Sequence, residues 1–359
     1  MDFILTIFYA IIVLTILVFV HECGHFFAAR AFGVRVSEFM LGLPAPNIGF
    51  TWKGTRFGIT AIPLLGGYAR ICGMGLGDTS PHLRQVLGFV YERGTATMED
   101  VAQAVGISSD EAFEALEELT EWGSLVGPAK KDTYNTYRTP EEKGKFRLGE
   151  PREVADADVF FESEYQQQYC SKPFWKRAVM LLGGIFLNLV FAIVLFVLIY
   201  SVIGIDMMDP QTGDIQHIRL DPLRAITGGF AVIGMVVEAV AKLFNPATAA
   251  ETLSGSASVV GIAVMSKTAA EQGFINFIFF LAMISISLGI MNLIPIPPLD
   301  GGRLVIEVFQ KIARRPVSMR VMNYLVGVGL LLLLSLFVFL VFQDVQRMFT
   351  GFWWGDGTG

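Results

Sequence analysis

"VFVHECGHFFAAR", residues Val18 to Arg30, sets two histidines and a glutamate inside a run that otherwise reads as a membrane span. Ionisable groups are costly in lipid, and where they occur they work or pair with one another. The pattern His21-Glu22-Cys23-Gly24-His25 places the two imidazoles one helical turn apart on one face, with Glu22 beside them. Imidazoles so spaced suit zinc, and the glutamate is a candidate general base. The bland alternative is a polar cluster that stabilises helix packing.

The apolar run extends from about residue 3 to 31, and three further segments are as apolar and as long: 174–203, 275–294 and 322–341. A fifth, 226–243, is shorter, carries Glu238 and Lys242, and reads as an interfacial amphipathic helix. The composition agrees, with 53% hydrophobic residues and a mean hydropathy of +0.54. A net charge of −6 gives no basic signature for nucleic acid. Cys23, Cys72 and Cys170 are too few and too scattered for a disulfide framework or a cysteine zinc cluster. The first segment lacks the positive start and the cleavage site of a secretory signal and is read as retained. Arg30, Arg35, Lys172, Lys176, Arg177, Arg303, Lys311 and Arg314 fall on one side of these spans and Asp206 on the other. The positive-inside rule then puts both termini outside and the basic loops in the cytoplasm.

Between the first two spans, "FTWKGTRFGITAIPLLGGYARI" alternates aromatic and β-branched residues around a Lys53-Gly54 turn, the pattern of a β-hairpin. At the membrane surface its edge could pair with a peptide. A soluble insert follows. Leu83, Val86, Leu87 and Val90 share one helical face, and Thr97…Asp100 and Ser108…Glu111 fit capping boxes of two more helices. "SLVGPAKKDTYNTYRT" suits two strands joined by a charged turn. Three helices and a β-wing are winged-helix-like. The third helix carries Asp110, Glu111, Glu114, Glu117, Glu118 and Glu121 without Lys or Arg, the wrong sign for phosphate, so no nucleic acid is expected. A homodimer or protein contact through the insert is expected instead. The organisation is thus 1–75 (first span and hairpin), 79–140 (insert), 141–171 (polar linker) and 172–359 (remaining spans). The fold class is a mainly α membrane protein of about four transmembrane helices, with a membrane-associated β-hairpin and a small soluble α/β insert. Trp353 and Trp354 read as an interfacial aromatic pair.

A catalytic zinc commonly has three protein ligands. His82 and His217 belong to the insert and to an outside loop, and Cys23 should point off the histidine face, which leaves carboxylates. "MNLIPIPPLDGGR", Met291 to Arg303, ends the third span with Asp300 at the depth and side of His21. A helix cap or a partner for Arg303 is the competing reading of Asp300. Pro295, Pro297 and Pro298 cannot continue a helix. Irregular backbone at membrane depth is tolerated only inside protein or along a wet cavity, and a hydrolase needs such a cavity. Asn292 could hold a substrate carbonyl or join two helices.

With these two motifs the chain resembles the site-2 protease family of intramembrane zinc metalloproteases, most like its RseP-type bacterial group. Asn292 through Gly301 fits the family's N-x-x-P-x-P-x-L-D-G at every fixed position. "IPLLGGYARI", "KRAVMLLGGIFLNLVFAI" with Asn188 at the family's asparagine, and "TLSGSASVVGIA" extend the resemblance over nearly all the chain outside the insert. The resemblance implies zinc on His21, His25 and Asp300, Glu22 as base and Asn292 assisting substrate binding. It further implies a transmembrane protein substrate, an anti-sigma factor or similar regulator, cut in the bilayer of a bacterial cell membrane with the active site toward the cytoplasm. PDZ domains expected between the second and third spans have no room in the stretch 204–222, and Arg303 stands where several relatives have histidine. Two other readings stay open: a membrane-tethered regulator acting through the insert, and a metal or proton transporter, the latter disfavoured because no internal repeat is visible.

Overall fold

The computed structural model describes the chain except residues 1, 62–65, 76–78, 130, 131, 133, 134, 143, 209–213, 316 and 351–359. Trp353 and Trp354 therefore lie outside the described residues, as does part of the charged turn expected in the insert.

Helix α1 (Asp2–Ala31) enters a sheet of β1 (Val36–Leu41), β2 (Asn47–Trp52), β3 (Thr55–Thr60) and β4 (Gly67–Ile71) in the order β2-β3-β1-β4. The expected hairpin is β2–β3, with Trp52 opposite Thr55. Lys53 and Gly54 both have positive φ, 47° and 80°, the turn that matches the twist of two-residue hairpins. The sheet is larger than the sequence indicated. β1 inserts between β3 and β4, parallel to β3 and antiparallel to β4. That leaves β4 at one edge, beside α1.

The insert holds α2 (Leu83–Arg93), β5 (Thr95–Thr97), α3 (Met98–Val105), α4 (Ser109–Glu121) and β6 (Thr136–Arg138). Both expected capping boxes form, on Thr97 with Asp100 and on Ser108 with Glu111. Leu83, Val86, Leu87 and Val90 are buried in one cluster with Leu116, Leu119 and Trp122. β6 pairs with β5, and Val126 bridges Arg138. The stretch read as a linker also contains α5 (Ala157–Tyr165), whose Phe160, Phe161 and Tyr165 pack on the same cluster. Its polar composition hid these three aromatics.

Helix α6 (Phe174–Val197) continues as a π-helical turn, Leu198–Ile203, into the hairpin β7 (Ile205–Met208) and β8 (Ile215–Ile218). Then come α7 (Pro222–Lys242), α8 (Ala249–Ser254), α9 (Val259–Glu271), α10 (Phe274–Asn292), α11 (Asp300–Ala313) and α12 (Met319–Thr350). Among the described residues five helices are long and apolar enough to cross a membrane. Four are the expected spans. The fifth is α7, the helix read as interfacial; its mean hydropathy of 1.7 is below the 2.3–3.0 of the others. The basic stretch after Asp300 is a helix, α11, rather than a loop. It is tied to α6 through Glu307, which pairs with Arg177 at 3.1 Å and accepts from the Tyr169 hydroxyl at 3.1 Å.

Candidate metal centre

α1 and α6 cross at glycines. A Cβ on Gly24 would strike the Gly183 carbonyl, and one on Gly184 would strike the rings of His21 and His25. Small residues let membrane helices approach backbone to backbone, and here the approach seats both imidazoles against α6. His25 Nδ1 lies 2.9 Å from the Met180 carbonyl. A carbonyl only accepts, so Nδ1 carries a proton, and in the neutral ring Nε2 then presents its lone pair. The prolines 295, 297 and 298 break the chain after α10, and it returns as α11. Gly301 and Gly302 permit that return, since a Cβ on either would collide with the backbone of residues 293–297.

This return puts Asp300 Oδ2 at 3.1 Å from His21 Nε2 and 3.2 Å from His25 Nε2, with the two Nε2 atoms 3.3 Å apart. Both histidines are 8% exposed. Oδ2 is buried without a well-aligned hydrogen-bond donor. An imidazole lone pair and a carboxylate oxygen facing each other at this range repel unless a proton or cation lies among them. The set of two imidazoles and one carboxylate, all three donor atoms within 4.8 Å, fits a divalent zinc with a position left open.

Beside the cluster is a cavity of about 260 Å³, lined by Val18, His21, Glu22, Gly67, Asn292 and Asp300 among others. Glu22 Oε2 accepts from the backbone N–H of Ala69 on β4 at 2.8 Å. Asn292 donates one amide hydrogen to the Leu288 carbonyl at 3.0 Å. The structure thus brings together all five residues singled out from the sequence: His21, Glu22, His25, Asn292 and Asp300. His217 is elsewhere, 2.8 Å from Asp206 on the β7–β8 hairpin, and His82 precedes α2 in the insert. Three groups at the site escaped the sequence reading. The Met180 carbonyl and the Ala69 N–H are backbone atoms and leave no trace in residue identity. Gly184 does have a signal, a Gly-Gly pair within a span.

A bundle of apolar helices brings a histidine–carboxylate cluster able to hold a metal ion together with a cavity. Residues 9–336 match Peptidase family M50, and the chain belongs to that family, the site-2 proteases. The regulator of sigma-W protease RasP of Bacillus subtilis is 24% identical over 435 aligned positions, which cover 97% of this chain and all of that protein. The zinc metalloprotease RasP of Oceanobacillus iheyensis is 24% identical over 438 positions, covering 94% of this chain and 98% of its own.

Proposed function

We propose that this chain is an endopeptidase that hydrolyses a peptide bond within or next to the membrane-spanning helix of a membrane-anchored regulatory protein. The observation that carries the reading is the meeting of His21, His25 and Asp300 at a cavity that also holds Glu22 and Asn292, among apolar helices. His21, His25 and Asp300 would hold zinc. Zinc in such a set supplies Lewis acidity toward a carbonyl oxygen and makes a water more acidic. Glu22 takes the proton from the attacking water and returns it to the departing amine nitrogen. The second amide hydrogen of Asn292 is offered to the carbonyl oxygen as negative charge develops there.

A scissile amide inside a helix is hidden, because its carbonyl is bonded to an N–H four residues on. The substrate must unwind first. The β4 edge, which borders the cavity at Gly66 and Gly67, supplies replacement backbone partners by strand addition. The name of the Bacillus subtilis relative, a regulator of sigma-W protease, supports a regulator of anti-sigma type as substrate. The basic residues clustered on one side of the spans support a multi-pass protein of the bacterial cell membrane whose site opens toward the cytoplasm, and the lower hydropathy of α7 supports its lying at the interface, with four helices spanning. We assign residues 79–140 to a winged-helix-like module that contacts a protein partner or a second copy of the chain.

The test is cleavage of a single-span reporter by purified protein in liposomes, with cut sites read by mass spectrometry. Cuts inside or bordering the span, lost with E22Q and with a zinc chelator, are expected. Cuts confined to soluble flanks far from the span, or full activity in E22Q, would overturn the reading.

A further inference from the structure

The two imidazoles of the cluster differ in how they are held. His25 has its Nδ1 proton fixed by the Met180 carbonyl. His21 Nδ1 instead faces the side-chain amide of Asn188 on α6, with Nδ2 at 3.2 Å. Asn188 is fully buried, and its Oδ1 has no hydrogen-bond partner. Its backbone carbonyl accepts from Ser285 Oγ of α10 at 2.8 Å, so the residue sits where α1, α6 and α10 meet.

An imidazole that gives its Nε2 lone pair to a metal keeps its proton on Nδ1. Nδ1–H cannot accept from an amide NH₂, so two donors would then face each other. Turning the amide by 180° about its terminal bond exchanges oxygen and nitrogen at nearly unchanged shape. Oδ1 then accepts from His21 Nδ1–H. The exchange leaves Nδ2 where Oδ1 lacked a partner, and in return it removes the donor–donor contact. We propose that Asn188 is a positioning residue for His21, accepting the Nδ1–H bond through Oδ1 and so committing Nε2 to the metal. This rests on the proposed role of His21 as a ligand. It makes Asn188 the side-chain counterpart of the Met180 carbonyl that serves His25.

The experiment compares wild type with N188D and N188L for zinc affinity, by competition with a chromogenic chelator on purified full-length protein. Aspartate can only accept, whereas leucine has the same shape and no polar atom. Loss of an orienting partner costs a bound metal about 10–100-fold in affinity. N188L should show that loss, and N188D should hold zinc within about threefold of wild type, scaled against the same range. If N188L does not fold, N188A replaces it, and the N188D-to-N188A ratio reads the same quantity. N188D as weak as the apolar variant, or an apolar variant as tight as wild type, overturns the proposal. Failure of the underlying reading is separate: wild type itself would then bind no zinc, or H21A would bind it as wild type does.

Discussion

The Ala69 backbone N–H donates to Glu22 Oε2 at 2.8 Å, so an edge strand of the four-stranded sheet holds the carboxylate proposed as base. In β4, Ala69 lies opposite Phe39 of β1, and its N–H points away from β1, toward the free edge. Strand addition at that edge needs the same N–H. A pairing substrate therefore competes with Glu22 for it, and pairing would free the carboxylate to take a proton. Proline at an edge position loses only an outward N–H. A69P should keep its metal and its fold while lowering turnover of a single-span reporter, since the N–H that substrate pairing would use is lost. Zinc analysis beside steady-state kinetics checks this, and unchanged kcat and KM would count against the competition.

Removing the base itself has a sharper signature. E22Q preserves shape and hydrogen bonding but cannot take a proton. It should lower kcat by about 10²–10⁴ with zinc content equal to wild type. D300N acts differently: a neutral amide replaces the only charged donor of the cluster. Wild type should carry about one zinc per chain, and D300N should release it to a chelator that leaves wild type loaded. Dialysis of wild type against a strong chelator should abolish cleavage, and added zinc should restore it. Equal metal retention by D300N and wild type would remove Asp300 from the ligand set.

What the sequence disclosed and what it hid divides by the kind of atom involved. His21, His25 and Asp300 are side chains in tight motifs, so the residues that converge within 4.8 Å are legible without coordinates. The buried face Leu83, Val86, Leu87, Val90 was likewise visible as a helical stripe. The turn at Lys53-Gly54 was visible because glycine tolerates the positive φ it needs. β1 is not legible because its partner β3 lies beyond the intervening strand β2, and strand pairing at that distance has no local signature. α11 has a clear apolar stripe in the sequence, but Arg303, Lys311 and Arg314 read as loop charges, and much of that stripe, Val305, Val308, Phe309 and Ile312, is exposed rather than packed in the core. The backbone groups of Met180 and Ala69 could not be seen at all.

The glycine at 184 has a consequence of its own. A methyl group there has no room beside the two imidazoles, so either α6 retreats from α1 or the rings turn. Overpacking of this kind costs about 1–3 kcal/mol. G184A should lower the thermal midpoint in detergent and reduce metal occupancy together. Gly228 on α7, where a Cβ meets nothing within 4 Å, is the control, and G228A should do neither.

Glu118 on α4 gives a pH signature confined to the insert. Burial pushes its carboxyl above the usual value, and Glu121 adds to this, against the pull of a 2.9 Å bond from the Ser80 N–H. A folded-state pKa above the unfolded one means the protonated form is the one folding favours. That stability is present below the unfolded pKa and is lost as pH rises through the folded one. E118Q mimics the protonated form at every pH. The difference in melting temperature between E118Q and wild type, measured by scanning calorimetry, should be near zero at pH 4 and positive at pH 8. A difference independent of pH would contradict it.

The insert is joined to the membrane core through Arg35, one of the cations that set the expected orientation. Its guanidinium takes both oxygens of Glu164 on α5, at 2.9 and 3.0 Å, and also reaches the Trp122 carbonyl and Gln167 Oε1. Ser124 Oγ donates to the same carboxylate, and Glu164 is only 8% exposed. Backbone bonds from Arg35 to Gln167 and from Cys72 to Arg35 continue the seam. R35M would leave Glu164 buried with its hydroxyl partner but no cation. Such an uncompensated charge costs about 3–5 kcal/mol. The core site does not touch this seam, so R35M should keep its zinc while the insert loosens, becoming open to limited proteolysis at its junction with the core. The double variant R35M/E164L removes both charges and should recover most of the protection, because an apolar pair in that place has no charge left to desolvate. If R35M alone resists protease as wild type does, the seam is not what holds the insert in place.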